Sequence, residues 1–467
     1  MRIQLSSLIT KSSSSTLVAS EFLSKTLHRE IDASTLRRTY QQHFQELLEL
    51  ERDPVNVDVI DEVLSLFQKS FNAGGDQSIL QVIEQTSSKD ITFLVIQGTG
   101  KARFVDFGDA PQEWVKSGIA EPSIIEALAL QQTPASTLLA LAAGAECAPT
   151  KAWLDAGGSV LAVMRANPTR WLELIEYAKV SAGQLIIPMK SSVTSEASDQ
   201  EIAAAAGIDL VADLEYIPQI LSYSISQEHT VLGAYAYSPG SSHLIVQAAQ
   251  DAIIEYASQH FLPNQIAFHW LATPTDSQLL PSEFLVYAQS RYRSRSSMVT
   301  IRDAIWQIFG QLRKPETTST SDLVCIDSSV QKQGFNYQLA KRIQRLRAHS
   351  LLRKGFKVAY GVTPPATTES VLSHRILISS YRGAPRFGLY PFVKDLIGPI
   401  SMHQCLHMLS TQFSSSHEMY SKFAVHGGLW RLAYASKSVW IPATITGLFG
   451  LLLPRNRAYR AVSLTKR

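Results

Sequence analysis

From Ser136 to about Pro385 short apolar runs alternate with helix-period sequence, and this alternation constrains the fold more than any other feature of the chain. "STLLALAAGAE", "SVLAVMR", "QLIIPM", "TVLGAYAY", "NQIAFHWLATPTD", "SDLVCIDSSV" and "FKVAYGVTPPATT" are near-continuous apolar strands, and stretches such as "RWLELIEYAKVSAG" and "QAAQDAIIEYASQ" between them are helical. A strand that is apolar on both sides has to be covered on both faces, and a strand returning parallel to its neighbour needs a crossover helix. The pattern therefore predicts an α/β fold, a doubly wound parallel sheet, over residues 135–384. Residues 1–90 show three-to-four periodicity and predict a helical N-terminal region. Residues 91–134 predict a hairpin and linker, with "DITFLVIQGTGKARFVDFGD" supplying two strands around Gly-Thr-Gly-Lys, and 385–467 a helical, aromatic-rich tail.

Of the 467 residues 45% are apolar and 18% charged, which excludes a disordered chain. A net charge of +3 gives no bulk attraction to nucleic acid. Cys147, Cys325 and Cys405 are too widely spaced for a metal motif and fit a reducing, cytoplasmic setting. The opening "MRIQLSSLITKSSSS" lacks the apolar core of a secretory signal. "SVWIPATITGLFGLLLPRNR", Ser438 to Arg457, has an apolar run shorter than the ~20 residues of a spanning helix, carries Pro442 and Pro454, and is followed by basic residues. It predicts either peripheral membrane contact through 438–457 or a buried helix.

The first strand-turn-helix, "LLALAAGAECAPTKAWLDAGGSVLAVMR", has the frame in which a doubly wound sheet holds a cofactor pyrophosphate: a strand, a turn with Gly144 and Ala145, a helix, and a second strand ending near Arg165. An arginine there suits the phosphate of NADP, where an acidic residue would hold the ribose of NAD. Ala148 and Thr150 stand where later glycines would fall, so a Rossmann-like unit that no longer binds a dinucleotide stays open. A methyltransferase using S-adenosylmethionine also stays open, with Arg165 against it.

Further along, "FNYQLAKRIQRLRAHSLLR" sets Tyr337 and Lys341 one turn apart on one helix face. An ammonium beside a phenol favours the phenolate, and a phenol so tuned can exchange the proton of a carbonyl or alcohol. The same spacing occurs in ordinary amphipathic helices.

The order of segments from Leu138 to Thr368 resembles the short-chain dehydrogenase/reductase superfamily. "LVCIDSSVQKQGFNYQLAK" is similar to the superfamily's serine strand and tyrosine helix, and "VAYGVTPPATT" to its Pro-Gly turn, with the unit around "NQIAFHWLATPTD" inserted before the serine strand. The resemblance implies Tyr337 as general acid/base, Lys341 tuning it and holding the ribose, Ser329 polarising the carbonyl, and Thr367 or Thr368 at the nicotinamide. It implies an NADP-preferring oxidoreductase, with NAD as the lesser cofactor, acting on a carbonyl, alcohol or enoyl group of a small apolar substrate, free or carrier-bound. The alternative is a non-catalytic scaffold for partner or membrane-surface association.

Secondary candidates have structural readings beside them. His243, at a helix start after "YAYSPGSS", is a cap or a substrate contact; Thr273, Thr275 and Asp276 read as capping before a helix "SQLLPSEFLVYAQ". "RYRSRSS" is a solvated run, or a contact for phosphate or a carrier-protein surface. His403 and His407 have the spacing of metal ligands without an adjacent glutamate, so no metal is expected. "HGGLWR" predicts a tight turn docking the tail.

Overall fold

The computed structural model of the chain describes residues 15–52, 57–71, 77–85, 89–192, 196–227, 229–315, 322–330 and 333–449. It is an α/β protein with a seven-stranded, mostly parallel central sheet. The strands are β1 (Thr92–Gln97), β2 (Thr137–Leu141), β3 (Ser159–Val163), β4 (Gln184–Met189), β5 (Thr230–Ala234), β6 (Ile266–Ala272), β7 (Ser277–Pro281), β8 (Leu323–Asp327) and β9 (Lys357–Val362). Their order across the sheet is β1-β4-β3-β2-β5-β6-β9. All but β1 run parallel, so the order reverses between β2 and β5. Register carries Leu141 opposite Val163 and Ala234, and Ala272 opposite Val362, which brings the carboxyl ends of these strands to one edge.

Every residue of β2 and β5 is buried, as the apolar runs require. Helices Thr150–Asp155, Pro168–Val180 and Ile397–Ser410 cover one face. Helices Ile217–Gln227, Ser242–His260 and Gly334–Arg353 cover the other, where the N-terminal helices Ser15–Thr26, Ala33–Arg52, Val57–Lys69 and Ile79–Gln85 form a further layer. Burying each Leu, Ile or Val side chain contributes roughly 1.5–3 kcal/mol, so the six parallel strands make the main core.

Three expectations change. The segment read as a hairpin holds one strand: β1 pairs antiparallel with β4 along the sheet edge. Its glycines serve a close approach instead of a turn, since Gly98 N donates to Gly183 O at 2.8 Å and Gly100 N to Ser181 O at 2.8 Å, and a Cβ on Gly98 would collide with backbone carbonyls. "SQLLP" is not the start of a helix but strand β7, paired antiparallel with β8 in a separate ribbon; the helix begins at Glu283. Strand β8, expected in the main sheet before the tyrosine helix, therefore lies outside it, and β6 is the sheet strand that precedes that helix. In the tail, Trp440–Leu448 is helical and 450–467 lie outside the described residues. Among the described residues no helix is long and apolar enough to cross a membrane.

Candidate active site at the carboxyl end of the sheet

Ligands of open α/β sheets bind beyond the carboxyl ends of the strands, beside the point where strand order reverses. Here Thr273 leaves the end of β6 with its hydroxyl beside the Tyr337 phenol. The Thr273 hydroxyl also meets that of Thr275 at 2.8 Å. One helical turn from Tyr337, Lys341 places Nζ 5.8 Å from the phenol ring centroid. That ammonium donates to Leu271 O at 2.9 Å and Gln344 Oε1 at 3.1 Å, which ties the tyrosine helix to β6. Tyr337 and Lys341 are half-buried, so they line a crevice instead of the core.

The electrostatics run opposite to the sequence expectation. Burial raises the Tyr337 pKa, the Thr273 hydroxyl opposing this only in part. Burial also lowers Lys341 to about 8. Desolvation disfavours the charged form of both groups. The phenol stays protonated at neutral pH.

His243 joins them. Its ring is stacked on Tyr337, centroids 5.8 Å apart and planes at 15°, with Tyr237 packed against both. Burial, and then the charge of Lys341, pushes His243 down to about 3, so the imidazole is neutral. Nδ1 accepts the Ser238 N–H at 3.4 Å, which puts the ring proton on Nε2. That Nε2–H is buried and has no hydrogen-bond partner among the described residues. Tyr337, His243 and Tyr237 form one wall of a cavity of about 610 Å³, whose other wall is Val18, Arg37, Tyr40 and Phe71 of the N-terminal layer.

Ser329 is placed differently from its expected role. It is buried beyond β8, donates to Asp327 Oδ1 at 2.5 Å and accepts from Gln41 Nε2 at 3.1 Å, while the hydroxyl beside the phenol is that of Thr273. Thr273, Thr275 and Asp276 do not cap a helix, since a strand follows them. Asp276 instead meets Arg342 and Arg345, which also hold Glu51 of the Ala33–Arg52 helix. The sequence signal for Thr273 is its place directly after an apolar strand, whereas "DSSV" follows a strand of the inserted ribbon.

Gly144 and Ala145 form the turn after β2, entered through Ala142 at φ 71°. A Cβ on Gly144 would meet the Met164 sulfur, so a larger residue there requires that flexible side chain to move. Arg165 stands exposed just past β3 and has no ion-pair partner among the described residues. The Thr367 hydroxyl donates to Phe392 O at 3.2 Å, and Thr368 takes the N-cap position of helix Glu369–Leu372. Glu146 joins the two turns: it accepts the Glu369 N–H at 3.1 Å and the Lys394 ammonium at 2.7 Å. Next to it, burial and then the Glu146 carboxylate raise the Cys147 thiol to about 11.

The remaining candidates have structural partners. His403 packs against Phe104 and Phe107, and His426 bonds to Glu121 where "HGGLWR" turns through Gly427 and Gly428. In "RYRSRSS", Arg295 lies over the Tyr292 ring and pairs with Asp303. No protein-family model matches this chain, and no curated protein matches it.

Proposed function

We propose that the chain is an NADP-preferring oxidoreductase of the short-chain dehydrogenase/reductase type, working on a carbonyl/alcohol or enoyl group of an apolar substrate. The observation that carries this reading is the set Thr273, Tyr337 and Lys341 at the carboxyl end of β6, of which Tyr337, with His243, lines the 610 Å³ cavity. The parallel strands, numbered in chain order, run 3-2-1-4-5-6, the order of Rossmann-like dinucleotide folds. The three cysteines, which form no disulfide among the described residues, agree with a cytoplasmic setting.

The residues at the two turns suit a nicotinamide nucleotide: a glycine in the turn after β2, and an exposed arginine at the end of the second parallel strand. Gly144, Ala145, Arg165, Lys341, Thr367 and Thr368 would hold it, Arg165 giving the preference for NADP. When bound, this cofactor supplies or accepts the hydride. The protonated Tyr337 suits reduction: its O–H bond breaks as a new O–H bond forms on the substrate oxygen. Thr273 orients the phenol. The free Nε2–H of neutral His243 donates to a polar atom of the substrate, as a neutral imidazole can where an imidazolium would titrate.

A second reading, a non-catalytic scaffold for partner or membrane-surface association, is favoured by Glu146. Its carboxylate, bridged to Lys394, occupies the turn where a pyrophosphate would lie. Arg165 in place of an acidic residue argues against the methyltransferase reading.

The test is titration of purified full-length protein with NADPH, NADH and S-adenosylmethionine, followed by nucleotide fluorescence and melting temperature. Selective NADPH binding, weakened in Arg165→Ala, supports the oxidoreductase. Tyr337→Phe should then lower carbonyl reduction by about 10²–10⁴-fold with NADPH affinity unchanged. If no nucleotide binds, the scaffold reading replaces it.

A further inference from the structure

Helix Ser297–Ile308 is seated with its polar side inward. Its fully buried residue is Asp303. Met298, Ile301, Ile305 and Ile308 are 81%, 67%, 58% and 80% exposed, and Phe309, just beyond, is 71% exposed. Steps of three, four and three residues put the four aliphatic side chains on one stripe. A surface helix of a globular protein normally turns such a stripe to the core.

The orientation is fixed by polar contacts. Asp303 Oδ1 accepts from Arg302 Nη2 at 2.6 Å, its Oδ2 accepts from the Tyr434 hydroxyl at 2.8 Å, and Arg295 Nε lies 3.3 Å away. Arg302 also lies over the Phe387 ring and donates to Arg386 O. Rolling the stripe inward would strip a buried carboxylate of these partners, so it faces solvent by construction. Side chains exposed to this degree form a ridge instead of a groove.

A second apolar surface adjoins the end of the ridge. Leu312 N donates to Ser438 O at 3.2 Å and Arg313 N to Ser438 Oγ at 3.0 Å, just before helix Trp440–Leu448. Ile441, Leu448 and Phe449 there are 55%, 62% and 77% exposed. In sequence the residues flanking the ridge are mostly basic. From Phe284 to Pro315 the acidic residue is Asp303, already neutralised, against Arg291, Arg293, Arg295, Arg302, Arg313 and Lys314. Of these Arg293, Arg313 and Lys314 are exposed. After Glu418 the sequence holds no Asp or Glu and eight Lys or Arg, of which Lys422, Arg431 and Lys437 are ion-paired and the other five lie outside the described residues.

We propose that this ridge docks the protein peripherally on an anionic lipid surface. The stripe from Met298 to Phe309 enters the acyl boundary, and Arg293, Arg313 and Lys314 meet the headgroup phosphates. Protruding aliphatic side chains flanked in sequence by exposed basic residues, with no exposed carboxylate on the helix, match a fluid apolar layer under a negative surface. The proposal stands apart from the oxidoreductase reading.

The test is flotation of the full-length protein with phosphatidylcholine vesicles, with and without phosphatidylserine. Wild type should float with the anionic vesicles and release as salt is raised. Ile301→Gln with Ile305→Gln should lower the bound fraction at least about tenfold, because each buried methylene contributes about 0.8 kcal/mol. Melting temperature should stay unchanged, since these side chains face water. Arg313→Glu with Lys314→Glu should lower binding to the anionic vesicles. Failure of wild type to float at low salt, or equal flotation of the isoleucine variant, would overturn the proposal. So would a wild-type dimer in sedimentation that the isoleucine variant converts to monomer, which would make the ridge a contact between copies.

Discussion

The tyrosine helix, Gly334–Arg353, and the helix Ser297–Ile308 are both amphipathic in sequence, and they bury opposite kinds of residue. The first buries its apolar face and three arginines as well, Arg342, Arg345 and Arg347, each met by carboxylates from other elements. The second buries one aspartate and leaves its aliphatics in water. Periodicity says that a helix has two faces; which one turns inward is decided by the groups waiting on the body. In the first case Glu51, Asp276 and Asp251 supply counter-charge from three other segments. In the second, Arg295, Arg302 and Tyr434 capture Asp303.

The largest expected effect breaks the first arrangement. Burial alone would raise the Glu51 pKa, but Arg345 and Arg342 hold it lowered, so it is ionised and paired. Glu51→Ala leaves two buried guanidiniums with Asp276 as their remaining carboxylate and should cost about 3–5 kcal/mol in urea unfolding. A loss near zero would mean that water already solvates those arginines.

Acid should weaken the same region next. Burial first, then Arg353, lowers His349 to about 4, and burial lowers His243 to about 3. Each folded-state pKa lies below the unfolded value of about 6.5, so the unfolded chain binds more protons as pH falls. The stability they contribute is full above about 6.5 and is lost on acidification toward 4 and 3, at up to about 1.4 kcal/mol per residue per pH unit. Urea midpoints measured from pH 7.5 to 5 should fall, and fall less in His349→Gln; a flat profile counts against buried neutral rings.

The smallest effect sharpens the contrast from the other side. Ile301→Gln with Ile305→Gln, which would be ruinous on the buried face of the tyrosine helix, should change unfolding free energy by no more than about 0.5 kcal/mol. A larger loss would show that the stripe packs against something in the free protein.

The sheet was legible because its strands are apolar on both sides: "SVLAV", "QLIIPM" and "TVLGA" admit few other readings, and each is a strand of the central sheet. β7 was not, since five residues such as "SQLLP" fit a strand or a helix turn equally and pairing with β8, across an insertion, decides. Gly98 and Gly100 looked like a hairpin turn because glycine marks a tight turn and a close backbone approach alike. At the site, Tyr337 and Lys341 could be found from spacing alone, because one helical turn is local. Thr273 could not, since its meeting with Tyr337 depends on which strand precedes the helix in space. Nor could the direction of the Tyr337 shift, which burial sets.

The contact between Glu51 and Arg342 joins positions 291 residues apart in the chain. At about 5–20 residues per second of synthesis, the first helices leave the ribosome some 15–60 s before the helix they are to cover. Phe22 against Phe67 and Phe67 against Phe71 give them a provisional aromatic nucleus. The faces that later wall the cavity, with Val18 and Tyr40, have no cover in that interval. The nascent chain, more than the finished fold, is therefore where these faces are open to solvent, and slowing translation before Arg342 should lengthen that exposure.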